Sequence, residues 1–220
     1  MNFLLLQIND ALFPIGNYTH SFGLESYVQS GRIKNKYDAK DYLKAYLHTQ
    51  VLHTDLLAIK LIQQSHSLEE ILEIESIIAA ASVAKQVKSA IQKLGARFIK
   101  TIQAMKLQQN ALFQSYTQAS IHHIYAVAYG VFCTSYQLNE QECIQHYLYA
   151  QASHTLTNCV KLIPLAQSDG QEILASLHEE FFILCQKLTS LTKQDLCNSA
   201  IASDIKAMQH QYLHTRLYMS

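Results

Sequence analysis

The sequence is short of residues that break a chain into turns. Two Pro and six Gly in 220 residues are too few for the repeated tight turns of a β-sandwich or barrel. Charged residues make up only 15% and Trp is absent. No apolar run reaches the roughly 20 residues of a membrane span. Met1–Gln7 has no positive charge ahead of its apolar stretch and no small-residue cleavage site behind it, so no signal peptide is expected. Seventeen Lys+Arg balance seventeen Asp+Glu, which leaves no net field to gather nucleic acid. The five Cys form no CxxC pair. Their spacing excludes a disulfide scaffold and a zinc ribbon, and reduced thiols of a cytoplasmic protein are the expectation. Hydrophobic residues, at 49%, supply a core for one domain over residues 1–220.

What is present is helical. FLLLQINDALFPIG is an apolar stretch stopped by Pro14 and Gly16. A short helix is expected over His20–Ser30, closed by Gly31. From Asp38, the residues Tyr42, Leu43, Tyr46, Leu47 and Val51 form one buried stripe. Ser67-Leu-Glu-Glu70 is a capping box for a helix over Leu68–Ala81. Another helix is expected from Val83 to about Gln109, tolerating Gly95 at about 1 kcal/mol. Ile121–Tyr136 is nearly free of charge and reads as a central buried helix. Asn139 caps a rod running to Ile163, where Pro164 stops it. Ser168 is expected to cap a helix to about Leu188. The last amphipathic stretch, Ile201–Met219, brings Ile205, Met208, Tyr212 and Leu217 to one side. The fold expected is an all-α bundle of about 8–10 helices.

Catalytic templates are absent. There is no GxxxxGK[ST] loop, no GxSxG elbow and no HExxH pair. His20 and Ser21 are sequence neighbours, about 100° apart on a helix, and do not make a nucleophile–base pair. Among the eleven His, His210 and His214 are four apart and would form a two-imidazole clip on one helix face, with Cys197 as a further candidate ligand. A solvated helix face competes with that reading. Tyr147 and Tyr149 sit two apart on the long rod and face different sides, so one of them points away from the core, where Tyr suits a protein interface. From the residues alone the chain reads as a helical adaptor or chaperone with no enzymatic site and no cofactor.

Asp10-Ala-Leu-Phe-Pro-Ile-Gly16, followed by Tyr18-Thr-His-Ser21 and Gly23-Leu-Glu25, resembles the opening motif of the UreF family of urease accessory proteins. Leu94-Gly-Ala-Arg97-Phe-Ile-Lys-Thr101, Tyr129-Gly130 and Val160-Lys-Leu-Ile-Pro164-Leu-Ala-Gln167-Ser-Asp-Gly170-Gln171 follow in the family's order. Asp204-Ile-Lys-Ala-Met208-Gln-His210 and Thr215-Arg216-Leu217-Tyr218-Met-Ser220 match its ending. The spelling of FPIGNYTHSFGLE and DIKAMQH is close to the epsilon-proteobacterial type. The chain departs from the family pattern at Ala166 (Gly), Gln211 (Glu), His214 (Tyr), Tyr125 (His) and Gln145, where near relatives carry Arg.

The resemblance implies an all-helical homodimer that joins UreD (UreH in some organisms) and the GTPase UreG on the urease apoprotein, linking the GTPase cycle to assembly of the nickel centre. On that reading Phe3, Leu6 and Ile8 in the N-terminal segment 1–16 bind UreD, together with Met208, His210, Arg216, Leu217 and Tyr218 in the tail 204–220. Tyr18, Gln145 and Tyr149 belong to the dimer interface, and Lys161, Gln167 and Asp169 face UreG. The competing expectation is a nickel carrier using His210, His214 and Cys197.

Overall fold

Caps written in the sequence set many of the element boundaries. The computed structural model describes residues 2–108, 110–198 and 201–219, with side chains at all of these but 18 and 202. Among the described residues the chain is all-α, with no strand. Helix α1 (Phe3–Ile8) starts under the Asn2 side chain, which accepts from the Leu4 and Leu5 N–H groups. Helix α2 (Leu24–Gln29) is shorter than expected, because Gly23 turns left-handed just ahead of it (φ 89°), while Gly31 closes it at φ 68°.

Helix α3 (Lys36–Tyr46) is capped by Asn35 and passes without a break into ten π-helical residues (Leu47–Leu56), then into α4 (Leu57–Gln63). The expected stripe is present, with Leu43, Leu47 and Val51 fully buried and Tyr42 and Tyr46 half-buried, and burial continues beyond it at Leu52 and Leu56, so that Val51 and Leu56 are five residues apart. Hydrogen bonds that skip five residues suit that wider step. Helix α5 (Leu68–Ala81) is capped by Ser67 as expected, its Oγ accepting from the Glu70 N–H at 3.2 Å, but the reciprocal half of the capping box shifts by one residue: the Glu70 carboxylate accepts from the His66 N–H at 2.8 Å rather than from that of Ser67.

Helix α6 (Lys85–Ala104) stops at the left-handed Lys106, short of Gln109, which lies outside the described residues. Helix α7 (Ala111–Ala119), capped by Asn110, has no counterpart in the sequence reading. Helix α8 (Tyr125–Ser135) begins four residues after the expected Ile121, since residues 120–124 first cross α6 at Gly95. A Cβ at Gly95 would lie 1.8 Å from the His123 carbonyl oxygen. Glycine is required at this crossing.

Helix α9 (Glu140–Leu162) is capped by Asn139, as expected, and ends just before Pro164. The cap is not the expected Ser168 but Ala166, two residues earlier: helix α10 (Gln167–Ser176) begins at Gln167, and the Asp169 carboxylate, at its third position, accepts from the Ala166 N–H at 3.0 Å. The expected continuous helix to Leu188 breaks at Leu177, and α11 (His178–Ser190) follows. Lys60 Nζ closes α11 by donating to the carbonyls of Leu188, Thr189 and Leu191 at 2.9–3.0 Å. Helix α12 (Ile201–Gln209) is half the length expected, giving way to a 3₁₀ turn (His210–Tyr212) and then non-helical chain with bends at 214–215 and 217–218.

Helix α8 is the centre of the core, with ten of its eleven residues buried. Phe98 of α6 meets Phe132 edge-on at 5.7 Å and Tyr125 at 5.6 Å, while Tyr129 packs on Tyr147 of α9 at 4.9 Å. Such tilted aromatic pairs add to the area they bury. A single carboxylate ties three helices together beside this cluster. Glu75 of α5, buried, accepts from Tyr116 OH (2.6 Å), Ser120 OH (2.6 Å) and the Ile124 N–H (3.1 Å). Replacing it with Ala leaves three buried donors without an acceptor, at about 1–3 kcal/mol each before relaxation. Glu75→Ala is therefore expected to lose about 3 kcal/mol or more and to lower the melting temperature by roughly 6–12 °C in a calorimetric scan.

Candidate functional site

The motifs read from the sequence converge in space. Glu25 of α2 is buried and accepts from His210 Nε2 at 2.9 Å, the Leu217 N–H at 2.7 Å and the Tyr218 N–H at 3.2 Å. The first motif thus holds the last. Gln29 Nε2 adds a bond to the Thr215 carbonyl at 2.7 Å, and the Met219 N–H donates to the Thr19 carbonyl at 3.0 Å. Gly23 allows the approach, since a Cβ there would come within 3.0 Å of the Ala207 nitrogen. Arg97, from the second motif, donates to the Ile15 carbonyl at 3.3 Å. Asn158 of α9 donates to the His20 carbonyl at 2.9 Å, and Asn17 lies 2.8 Å from His154 Nδ1.

With its backbone held in this way, the tail turns its apolar side chains outward. Ile201 (75% exposed), Ile205, Met208, Tyr212 and Leu217 (65%) face solvent, as do Phe3 (78%), Leu6 and Leu12 near the other end. Of the partner-binding candidates, Phe3, Leu6, Met208, Arg216 and Leu217 are exposed, whereas Ile8, His210 and Tyr218 are buried in the fold. The buried three can reach a partner only through the chain they position. Leu12, Ile201, Ile205, Tyr212 and Met219 are the other exposed apolar residues of these two stretches. Each chain end thus carries several exposed apolar side chains, the feature that marks interaction surfaces.

The two-imidazole clip does not form. It required a helix through 214, but α12 ends at Gln209 and the chain from Leu213 is not helical. His210 is enclosed beside Glu25 while His214 is exposed. Cys197 is engaged by backbone, donating its N–H to the His53 carbonyl at 2.9 Å, and burial pushes its thiol up to about 11. Among the described residues, no three His, Cys, Asp or Glu side chains gather closely enough to hold a metal ion. No described helix is long and apolar enough to cross a membrane.

A second apolar surface lies between α9 and α11. Gln145 and Tyr149 share a groove with Leu148, Phe181, Phe182 and Cys185, with Tyr149 edge-on to Phe181 at 6.4 Å. Tyr149 is 49% exposed and Phe182 65%, while Tyr147, two residues away, is in the core. Phe181-Phe182 was legible as a signal in its own right, because adjacent helix residues cannot both face one core. The side chain of Tyr18, the remaining interface candidate, lies outside the described residues. Lys161 is exposed in the last turn of α9, where a cation offsets the helix dipole, and Gln167 is exposed beside it. Asp169 is held by its capping role and by Lys36 at 3.9 Å.

Behind the tail, the π-helical segment, α8, α9 and α12 enclose a cavity lined by Tyr46, Asp55, Tyr125, Tyr147, Gln151 and Asp204. Tyr147 OH donates to Asp55 at 3.1 Å, yet burial outweighs that bond and raises the Asp55 carboxyl to about 7. Burial, with Arg97 and Lys93 nearby, lowers His20 to about 4. The two groups oppose each other. The folded state holds the Asp55 proton up to about pH 7 while the unfolded chain releases it near 4, so this residue costs stability as pH rises through that window. His20 charges in the unfolded chain near 6.5 but in the fold only near 4, so it costs stability as pH falls. Asp55→Asn is expected to melt higher than the parent at pH 8, by about 1 kcal/mol or more. Thermal unfolding at several pH values should show that gain disappearing toward pH 4.

Comparison with known proteins agrees with the geometry. The chain is 30% identical to the urease accessory protein UreF of Actinobacillus pleuropneumoniae serotype 5b, over 98% of its own length and 97% of that protein. It is 29% identical to the proteins of the same name from Bacillus sp. (strain TB-90) and Haemophilus influenzae (strain PittEE), again over 98% of its length and 97% and 94% of theirs. The UreF family profile matches residues 33–178, the stretch from the turn before α3 to the first residue of α11. With its first and last motifs clasped at Glu25 and its apolar side chains turned outward, the chain belongs to the UreF family.

Proposed function

We propose that this chain is a non-enzymatic helical scaffold in urease maturation, which brings a UreD/UreH partner and the GTPase UreG to the urease apoprotein and works as a homodimer in the cytoplasm. The observation that carries the reading is the contrast at the two chain ends. The tail backbone is satisfied inside the molecule through Glu25, Gln29 and Thr19, and the first helix is capped by Asn2, while Phe3, Leu6, Met208 and Leu217 are left to solvent. An ordered, exposed apolar surface fits a permanent partner better than a substrate. The UreD/UreH partner is assigned to this surface, with Arg216 at its edge. The α9–α11 groove, with Gln145 and Tyr149, is assigned to a second copy of the chain. Lys161 and Gln167 are assigned to UreG, with Asp169 holding the α10 start in place behind them. Nickel is cargo of the assembled complex in this reading. The enclosure of His210 by Glu25 argues against the tail as a carrier site. The FPIGNYTHSFGLE and DIKAMQH spellings support placing the chain with epsilon-proteobacterial members of the family.

Leu217→Asp and Phe3→Asp change exposed side chains, so both variants should fold and melt like the parent. Each is expected to lose capture of the UreD/UreH partner in a pull-down, and with it activation of apo-urease in a reconstituted system. Full-strength capture by both would remove the chain ends from the interface.

Tyr149→Asp is tolerated by a half-exposed site in the monomer but would desolvate an unpaired charge in a closed interface, at several kcal/mol. Analytical ultracentrifugation is expected to show a folded monomer where the parent sediments as a dimer.

A further inference from the structure

From Ser76 to Asn139 the sequence contains no Asp or Glu, although the chain as a whole is neutral. Its cations in this stretch are Lys85, Lys88, Lys93, Arg97, Lys100 and Lys106, the first five on α6. All but the half-buried Lys88 are exposed, and none of the six makes an ion pair among the described residues. At 100° per residue, Lys85, Lys93, Arg97 and Lys100 fall within one third of the helix circumference. Two of the charges also oppose the helix that bears them. Lys85 and Lys88 lie at the N-terminal end of α6, where no acidic residue offsets the dipole and no side chain caps the first turn. Cations there cost helix stability. A local choice that works against its own element points to a role outside it.

The position of α6 indicates that role. At its N-terminal end, Gln86 Nε2 donates to Gln211 of the tail at 2.9 Å. Near its C-terminal end, Thr101 and Met105 share a surface with Leu6, Leu12 and Phe13 of the N-terminal segment. Twenty residues at about 1.5 Å each make roughly 30 Å of helix between the two. A protein that grips both chain ends must therefore pass over the basic face. We propose that the outer face of α6 is the middle of that interface and that the partner crossing it presents an acidic surface there. The inference rests on the reading that the chain ends bind the UreD/UreH partner, and it adds the electrostatic character of the contact. Between the cations the exposed residues of α6 are Ala96, Gln103 and Ala104. No aromatic stands out to stack a base and no large apolar side chain to enter a bilayer. A folded acidic protein surface is the ligand this face fits.

The test uses the full chain carrying Lys85→Gln, Lys93→Gln and Lys100→Gln together, with the purified UreD/UreH partner titrated at about 50 and about 300 mM salt. Removing Lys85 from the helix start relieves the dipole, so the triple variant should melt no lower than the parent. The parent should bind more weakly as salt rises. The triple variant should bind at least about tenfold more weakly at low salt and lose most of its salt dependence. Unchanged affinity and salt slope, with Phe3→Asp abolishing binding, would place α6 outside the interface and overturn the proposal while leaving the chain-end reading intact. If Phe3→Asp and Leu217→Asp both bind at full strength, the chain-end reading fails and this inference falls with it. If the triple variant instead loses binding to single-stranded DNA or phosphatidylserine vesicles while its partner affinity is unchanged, the face serves another polyanion and the proposal is overturned.

Discussion

The Glu25 carboxylate is the contact on which the functional surface depends. A buried carboxylate needs its acceptor capacity filled, and here the donors come from a segment almost two hundred residues away: a histidine ring and two successive backbone N–H groups. That requirement brings the end of the chain back to its beginning. Once the tail is docked, Ala207 sits over Gly23, α12 closes the cavity holding Asp55, and Gln211 reaches Gln86 on α6. The apolar side chains on the outer side of the tail are left wholly or partly to solvent. An internal polar bond thus produces an external apolar surface.

A division of labour runs through the molecule. Polar groups that define the architecture are buried: Glu25, Glu75 and Asn158, with Tyr147 buried beside the half-buried Asp55. Large apolar groups that no core accommodates are outside: Phe3, Leu12, Phe182, Tyr212 and Leu217. This inverts the usual placement at the chain ends and along the α9–α11 groove. Asp55 lies on the costly side of the arrangement. Its ionised form is disfavoured by burial, yet a carboxylate remains where an amide would be tolerated better. Strongly shifted groups facing a cavity are often retained for function rather than stability. His20 works in the opposite direction over nearly the same range, so the two flatten the dependence of stability on pH.

Much of this was legible in the sequence wherever a local rule acted alone. Ser67 and Asn139 cap their helices as their side-chain chemistry dictates, Pro164 follows a helix end, and the uncharged stretch ahead of Tyr136 is the central helix. Illegible features were those decided by tertiary contact. Ten π-helical residues preserve a stripe that also reads as α-helix, and with Leu52 four residues before Leu56 the apolar spacing gave no sign of wider winding. Ser168 is a good cap by type, but Asp169 answers the Ala166 N–H first. The tail looked helical to Met219 because its apolar spacing is helical. Glu25 withdraws the Leu217 and Tyr218 N–H groups from any helix and so ends it early. At the site level, the exposed members of the chain-end set were visible as apolar residues in terminal motifs. That Ile8, His210 and Tyr218 turn inward depends on partners far away in sequence.

Gly95 also governs the orientation of charge on the outer surface. The His123 carbonyl occupies the space a side chain would need there, so α6 can meet residues 120–124 at that position in only one rotational setting. A slip of one residue turns a helix by about 100°. Such a slip would carry Lys93 and Lys100 off the outer face and bring other α6 residues there in their place. The electrostatic signature that α6 shows to its surroundings is therefore set by an uncharged residue on the hidden side of the helix, through the absence of a single methyl group.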